Sequence, residues 1–259
     1  HMGLEMRDDQ FNFLHRVFRA EDPEAVKAYM DKPQVALRVT LPDANIDPFP
    51  VQPLRVRGTG LTEMDLMPAV EELRSVILAQ YGGEGMQVME FTTEVWLSDG
   101  YDGQQREITQ WGPTRDALYL RTAEIFELGA EDFVIVYGTN HEVTGKATYA
   151  NAAIYADKDS DGRELLLGLV SEQSGAFVGS ASDYLPGHPA KDFLYVWKFA
   201  LNCNGDPHCT EVYWDCERLD GLPSPMMFMG FRAYLEPSTA VGPSFTEVIY
   251  DQAIKVSPV

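Results

Sequence analysis

The sequence predicts an α+β protein whose dominant part is an antiparallel β-sandwich beginning at about residue 86, with an N-terminal helical layer packed on one side. Two changes along the chain carry that expectation. Apolar residues recur at helical spacing only in the first 85 positions, and from residue 86 they alternate in short runs divided by Gly, Pro, Asp or Asn clusters. The chain of 259 residues with 45% hydrophobic content is also long and apolar enough for a substantial core. The division expected is 1–85 for the helical and extended layer and 86–259 for the sandwich, unless the two form one continuous domain.

Each element follows from local chemistry. DDQFNFLHRVFRA (8–20) places Phe11, Leu14, Val17 and Phe18 on one helical face. A short helix is expected from Asp22, because Pro23 in the first helical position loses no needed hydrogen bond. QVALRVTL then reads as extended, and the proline-rich ANIDPFPVQP as a loop or edge segment. In LTEMDLMPAVEELRSVILAQYGG, Thr62 is the expected N-cap and Leu66, Val70, Leu73 and Ile77 the buried face. Pro68 delays the regular helix to about residues 65–67, and Gly82-Gly83 stop it. The strand candidates are MQVMEFTTEVWL, DALYLRTAEIFEL, DFVIVYG, ATYANAAIYAD, RELLLGLV, DFLYVWKFAL, TEVYWD, MMFMGFRAYLE and FTEVIYDQAIKV. A weak internal echo between 142–155 and 237–250 would, if it were a duplication, imply two related β-layers.

Charge and cysteines bound the partners. With 40 acidic and 20 basic residues the formal charge is −20, which repels phosphate backbones and anionic lipid surfaces, so neither nucleic acid nor membrane insertion is expected. The leading His1-Met2 reads as a cloning remnant, so the native start is expected to be missing. Cys203, Cys209 and Cys216 fall within one loop region. One local disulfide with an odd thiol, free thiols, and a metal site with His208 are the alternatives. The C-x5-C-x6-C spacing does not match zinc ligand pairs roughly two to four residues apart. Clustered cysteines favour an oxidising compartment, hence a secreted or periplasmic location.

Two stretches carry a family resemblance. TRDALYLRTAEIFELGAEDFVIVYG (114–138) is similar to an N-x-D-T-L-Y strand entry followed by a turn and an apolar strand. LPSPMMFMGFRAYLEP (222–237) is similar to an L-P-x-P strand leading to Arg-x-Tyr. Both patterns resemble a widespread, largely uncharacterised bacterial family of paired β-sandwich domains of unknown function. Thr114 and Ala117 depart from that pattern, where Asn and Thr stand. The resemblance implies a β-sandwich and no particular chemistry.

Chemistry is concentrated in YGTNHEVTGKATY (137–149). His141 and Tyr149 have the side chains for a general acid–base pair, with Asn140 or Lys146 to neutralise a developing negative charge. Such a set suits β-elimination from a uronic acid, or hydration and dehydration of a small acid. The competing view is a polar hairpin tip built from turn-forming Gly138, Thr139, Asn140 and Gly145. Downstream, Asp157, Asp159, Asp161 and Gly162 follow the first half of a calcium loop, with Glu164 as a further oxygen ligand. Position twelve is Gly168 rather than Glu, so a structural Ca2+ from an irregular cage or a metal-free turn is expected there. Ser180, Ser182, Asp183 and His188 lie too close in sequence to converge as a triad. Glu90, Glu94 and Asp99 beside Trp96 form a carboxylate–aromatic set of the kind seen in sugar sites, although a solvated strand face explains them as well. No G-x-S-x-G, Walker, G-x-G-x-x-G, H-E-x-x-H or C-x-x-C motif occurs.

The function expected is therefore a secreted or periplasmic enzyme of lyase or hydratase type acting on a small-molecule or saccharide ligand. The alternative is a non-catalytic ligand-binding or structural β-domain stabilised by a calcium loop.

Overall fold

The computed structural model describes residues 22–32, 54–100, 106, 112, 114–158, 164–214 and 224–259. The chain divides into two compact units, residues 1–54 and 55–259. In the first, α1 (Pro23–Met30) starts as its sequence dictates: Asp22 Oδ1 accepts hydrogen bonds from the Glu24 and Ala25 amides at 3.0 and 3.1 Å. The helix expected at 8–20 and the extended QVALRVTL lie outside the described residues.

The second unit opens with one 3-10 turn, Met64–Leu66, leading into α2 (Met67–Tyr81). Thr62 Oγ1, just ahead of the 3-10 turn, accepts from the Met64 amide, so it does not cap α2, whose N-cap position is Leu66. Pro68 falls in the first turn of α2, where its missing N–H is not needed, and Gly82 closes the helix on the Leu78 carbonyl. Ala69, Val70, Leu73 and Ile77 are its buried face. The unit boundary at residue 54 means that α2 belongs with the strands, because its apolar face packs on them.

Ten strands follow among the described residues: β1 Met86–Glu90, β2 Thr93–Leu97, β3 Ala117–Thr122, β4 Phe133–Thr139, β5 Tyr149–Lys158, β6 Glu164–Gln173, β7 Leu194–Ala200, β8 Cys209–Glu211, β9 Met227–Tyr234 and β10 Gln252–Pro258. A single helical turn, α3 (Ser174–Phe177), follows β6. The strands form two five-stranded sheets, ordered β1-β10-β4-β7-β8 and β2-β3-β9-β5-β6. Every pairing is antiparallel except β7 with β8.

Alternation explains the cores. Val134 and Val136 of β4, Trp197 and Phe199 of β7, and Ala253 of β10 share one apolar cluster with Leu118 and Leu120 of β3, Ile154 of β5, and Met229 and Phe231 of β9. The residues between them, Ile135, Tyr137, Val196 and Ile254, join a second cluster with Ala69, Val70, Leu73 and Ile77 of α2. A strand that is covered on both faces needs no polar side, which is why β4 reads as an unbroken apolar run. Leu73 and Ile77 are fully buried, each stabilising the fold by about 1.5–3 kcal/mol. The other face of the second sheet carries two smaller clusters, Ala117-Tyr119-Tyr234 and Ala153-Tyr155-Phe228, with Trp96 packed against both.

Two expected strands are corrected. MQVMEFTTEVWL is two strands in different sheets: β1 pairs with β10, β2 with β3, and Phe91 between them turns into the core and stacks on Phe126. FTEVIYDQAIKV becomes a strand only at Gln252, since the residues before it spend their polar groups elsewhere. The Ile249 amide donates to Glu63 Oε2, while the Glu247 carboxylate accepts from the Thr59 and Gly60 amides. The supposed echo at 237–250 therefore aligns turns with a segment that ends on β5, and no repeated β-layer results.

Candidate functional site

The segment after β4 folds tightly. Asn140 Oδ1 accepts from the amides of Glu142 and Val143 at 3.2 and 3.4 Å, and its Nδ2 donates to the Ser174 carbonyl at 3.0 Å. Gly145 takes the left-handed conformation, φ +79°, that the next turn requires. The result is no solvated tip: Asn140, His141 and Lys146 are only 1%, 2% and 3% exposed.

Both ring nitrogens of His141 face carboxylates. Nδ1 lies 2.9 and 3.1 Å from the two Glu63 oxygens, and Nε2 lies 3.3 Å from Asp251 Oδ2. Two acceptors on opposite edges demand two N–H donors, so the ring is an imidazolium. Burial alone would push its pKa down, but the charges of Glu63 and Asp251 and their hydrogen bonds outweigh it and hold the pKa well above the usual 6.5. Glu63 further accepts from Thr139 Oγ1, Thr144 Oγ1 and the Ile249 amide. Although burial opposes its ionisation, the His141 charge and these hydrogen bonds hold its pKa at about 2. Asp251 Oδ1 accepts from the Tyr195 hydroxyl at 2.6 Å. Burial first, and then that carboxylate, raise the Tyr195 pKa well above its ordinary value.

Lys146 sits in an adjoining cluster. Its Nζ donates to Glu236 at 2.7 Å, Glu247 at 2.6 Å and Thr59 Oγ1 at 3.3 Å. The Glu63 amide donates to the Glu247 carbonyl and joins the two clusters. Tyr149 belongs elsewhere: its ring packs on Tyr234, 5.8 Å between centroids, whereas the ring nitrogens of His141 face Glu63 and Asp251. The structure thus brings His141, Asn140 and Lys146 into one packed, buried region, in which Glu236 Oε2 meets no hydrogen-bond partner among the described residues, and leaves Tyr149 on an aromatic cluster. His141 in this state has no lone pair with which to accept a substrate proton.

The remaining sequence candidates disperse. Asp157, next to last in β5, donates its amide to the Met226 carbonyl. Asp159, Asp161 and the side chain of Glu164 lie outside the described residues, and Lys158 pairs with Glu164 so that strands flank the loop. Ser180 Oγ donates to the Phe177 carbonyl and accepts from the Val196 amide, while His188 faces Glu72 at 3.8 Å. Glu90 pairs with Arg74, Glu94 with Arg121, and Asp99 with Arg57 and Arg115, and Glu90 on β1 and Glu94 on β2 belong to different sheets. Cys203 and Cys209 form a disulfide, which removes their thiolates from any metal site; Cys216 lies outside the described residues.

A different feature emerges beside β5. A groove of about 440 Å³ runs along β5, β6 and β8, lined among others by Asn151, Tyr155, Ser171, Thr210, Tyr213 and Arg232. Asn151 and Arg232 are directly opposed in the β5–β9 register, so their side chains share a face. The Arg232 guanidinium is framed by Tyr155, Tyr119 and Trp96 at 5.3, 5.5 and 5.8 Å from the ring centroids. Gly230 makes the frame possible: a Cβ there would come within 2.8 Å of the Tyr155 ring and 3.3 Å of Trp96. Arg232 Nε and Asn151 Oδ1 are both buried and meet no hydrogen-bond partner among the described residues. Tyr213 lines the groove at 69% exposure. A second cavity of about 470 Å³ lies between α2 and residues 245–252, with Met64, Met67, Tyr137, Phe245 and Tyr250 on its walls.

Glu63, Asp251, Tyr195, Asn151 and Arg232 escape a reading of the sequence because they come from distant positions. One signal was available: Asn151 in TYANAAIY and Arg232 in MFMGFRAY are single polar residues inside otherwise apolar strands.

No family model matches the chain, and no curated protein matches it. Among solved structures, an uncharacterised protein from Burkholderia cenocepacia is similar at 12% identity, with a TM-score of 0.31, over 76% of this chain and 42% of that one. The chain thus spans less than half the length of that protein, and a likeness of this size bears on neither fold nor function. The class defined by the coordinates themselves is an α+β protein with two mostly antiparallel sheets.

Proposed function

We propose that this chain is a non-catalytic ligand-binding β-domain, its two sheets packed face to face as a sandwich, and that the groove along β5, β6 and β8 holds a small polar or sugar-like ligand. The observation that carries the reading is the contrast between two regions. Both ring nitrogens of His141 are occupied by protein partners, whereas the groove gathers two of the three buried unpaired side-chain atoms found among the described residues, Asn151 Oδ1 and Arg232 Nε. A native structure seldom leaves buried polar atoms unpaired unless something else is meant to satisfy them. Aromatic faces beside unused hydrogen-bonding groups are what a hydroxylated ligand needs for stacking and orientation. The cluster shared by both sheets supports the sandwich, and residues 114–138 and 222–237 contribute β3, β4 and β9, in keeping with the family resemblance. The Cys203–Cys209 disulfide supports a secreted or periplasmic setting.

The test is a thermal-shift screen of monosaccharides, oligosaccharides and small organic acids. A ligand that binds only the folded chain at a hundredfold excess over its Kd stabilises it by about 2.7 kcal/mol. The Tyr213→Ala variant should keep its melting temperature and lose most of any such shift, because Tyr213 lines the groove while largely exposed. A panel that leaves the melting temperature unmoved throughout would overturn the binding reading.

A further inference from the structure

We infer that the ligand of this groove carries a carboxylate beside a hydroxyl, as a uronic or other hydroxy acid does, and that Arg232 is the anchor for its charge. The inference rests on the binding reading above and adds the chemical class of the ligand. Its basis is the solitary state of Arg232. Arg57, Arg74, Arg115 and Arg121 each meet a carboxylate, as expected in a chain with twice as many acidic as basic residues. Among the described residues no carboxylate and no hydrogen-bond acceptor meets Arg232, whose charge is faced only by aromatic rings.

A guanidinium has five N–H donors in a planar fork suited to a carboxylate, and leaving the buried Nε–H unmet is costly. Aromatic rings attract the cation but accept none of those donors in its plane. The rings therefore attract the cation while leaving the buried Nε–H for a ligand to meet. Asn151, across from it, adds an unpaired carbonyl oxygen that needs a donor from the ligand, hence the hydroxyl. Glu211 also lines the groove, although one of its carboxylate oxygens accepts from the Cys203 amide. With that acidic neighbour and a chain charge of −20, a monoanion suits the groove better than a phosphate dianion.

The experiment uses the full chain and isothermal titration with D-glucuronate, D-galacturonate, their neutral methyl esters, and inorganic phosphate. The expected result is that at least one acid binds ten or more times tighter than its own ester and than phosphate, and that Arg232→Gln erases the difference. Asn151→Asp supplies an internal carboxylate opposite Arg232. It should abolish acid binding while raising the urea midpoint, an outcome that keeps the test sound if Arg232→Gln fails to fold. A purely structural role for Arg232 would change stability but not the ratio of acid to ester. Acid and ester binding alike would overturn the anchor and leave the groove as a binding site. Tightest binding of phosphate would overturn the ligand class. Binding by no acid, with the neutral esters still bound, would overturn the inference alone, and binding by nothing would overturn the groove as well.

Discussion

Replacing His141 with Gln tests whether the buried charge cluster holds the fold together. The substitution keeps a hydrogen-bond donor but removes the one cation between Glu63 and Asp251, both of which are nearly buried. Breaking a buried pair in this way strands an uncompensated charge, and the cost is about 3–5 kcal/mol. For a unit of this size that lowers the melting temperature by roughly 6–20 °C. The loss should also depend on pH, and its sign follows from the two shifts. Glu63 is held down at about 2, so its contribution is complete above the ordinary carboxylate pKa of about 4.5 and fades as pH falls toward 2. His141 is held well above 6.5, so its contribution is complete below about 6.5 and fades as pH rises toward the folded value. These are one interaction seen from its two partners and do not add. The stability difference between wild type and His141→Gln should therefore be largest between about pH 4.5 and 6.5. Above that window it should shrink by up to about 1.4 kcal/mol per pH unit. Urea denaturation of both proteins from pH 3.5 to 9 measures it directly. A difference below about 1 kcal/mol, or one that is flat with pH, would refute the placement of an imidazolium between the carboxylates.

Two further outcomes are expected. Gly230→Ala should cost about 1–3 kcal/mol and disturb near-ultraviolet circular dichroism, since the new methyl meets the Tyr155 ring at 2.8 Å and must displace it; unchanged stability would mean that the aromatic frame around Arg232 is loose. The Cys203–Cys209 disulfide closes only a short loop, six residues in sequence separation, so its reduction should lower stability by about 2 kcal/mol. Thiol labelling before and after reductant identifies the pair, and labelling of both cysteines without reductant would contradict it.

Much of the fold was legible in the sequence because it depends on neighbours in the chain. Asp22 before Pro23, Pro68 in a first turn, and Gly82 at a helix end act over a few residues, and the structure uses each where it stands. Strand periodicity was legible for the same reason, with alternation marking most of the strands. What it could not convey was which sheet each strand joins. MQVMEFTTEVWL reads as one strand because nothing local records that Phe91 turns into the core between two sheets. FTEVIY reads as strand because its apolar pattern is correct, while its backbone and carboxylate are claimed by Glu63, Thr59, Gly60 and Lys146 from far along the chain.

The candidate site divides in the same way. His141, Asn140 and Lys146 were visible as reactive side chains on a turn, composition alone determined the acidic character of the protein, and apolar alternation marked its β-rich class. Only the tertiary structure decided their state, because a pKa and a free lone pair depend on which groups from residues 63, 236, 247 and 251 arrive within about 3 Å. Arg232 is the converse case. In the sequence it is one arginine of many, and it becomes a candidate anchor only where folding surrounds it with rings and brings it no carboxylate. Local chemistry sets backbone conformation, whereas the pairing of charges is a long-range outcome that the order of residues does not display.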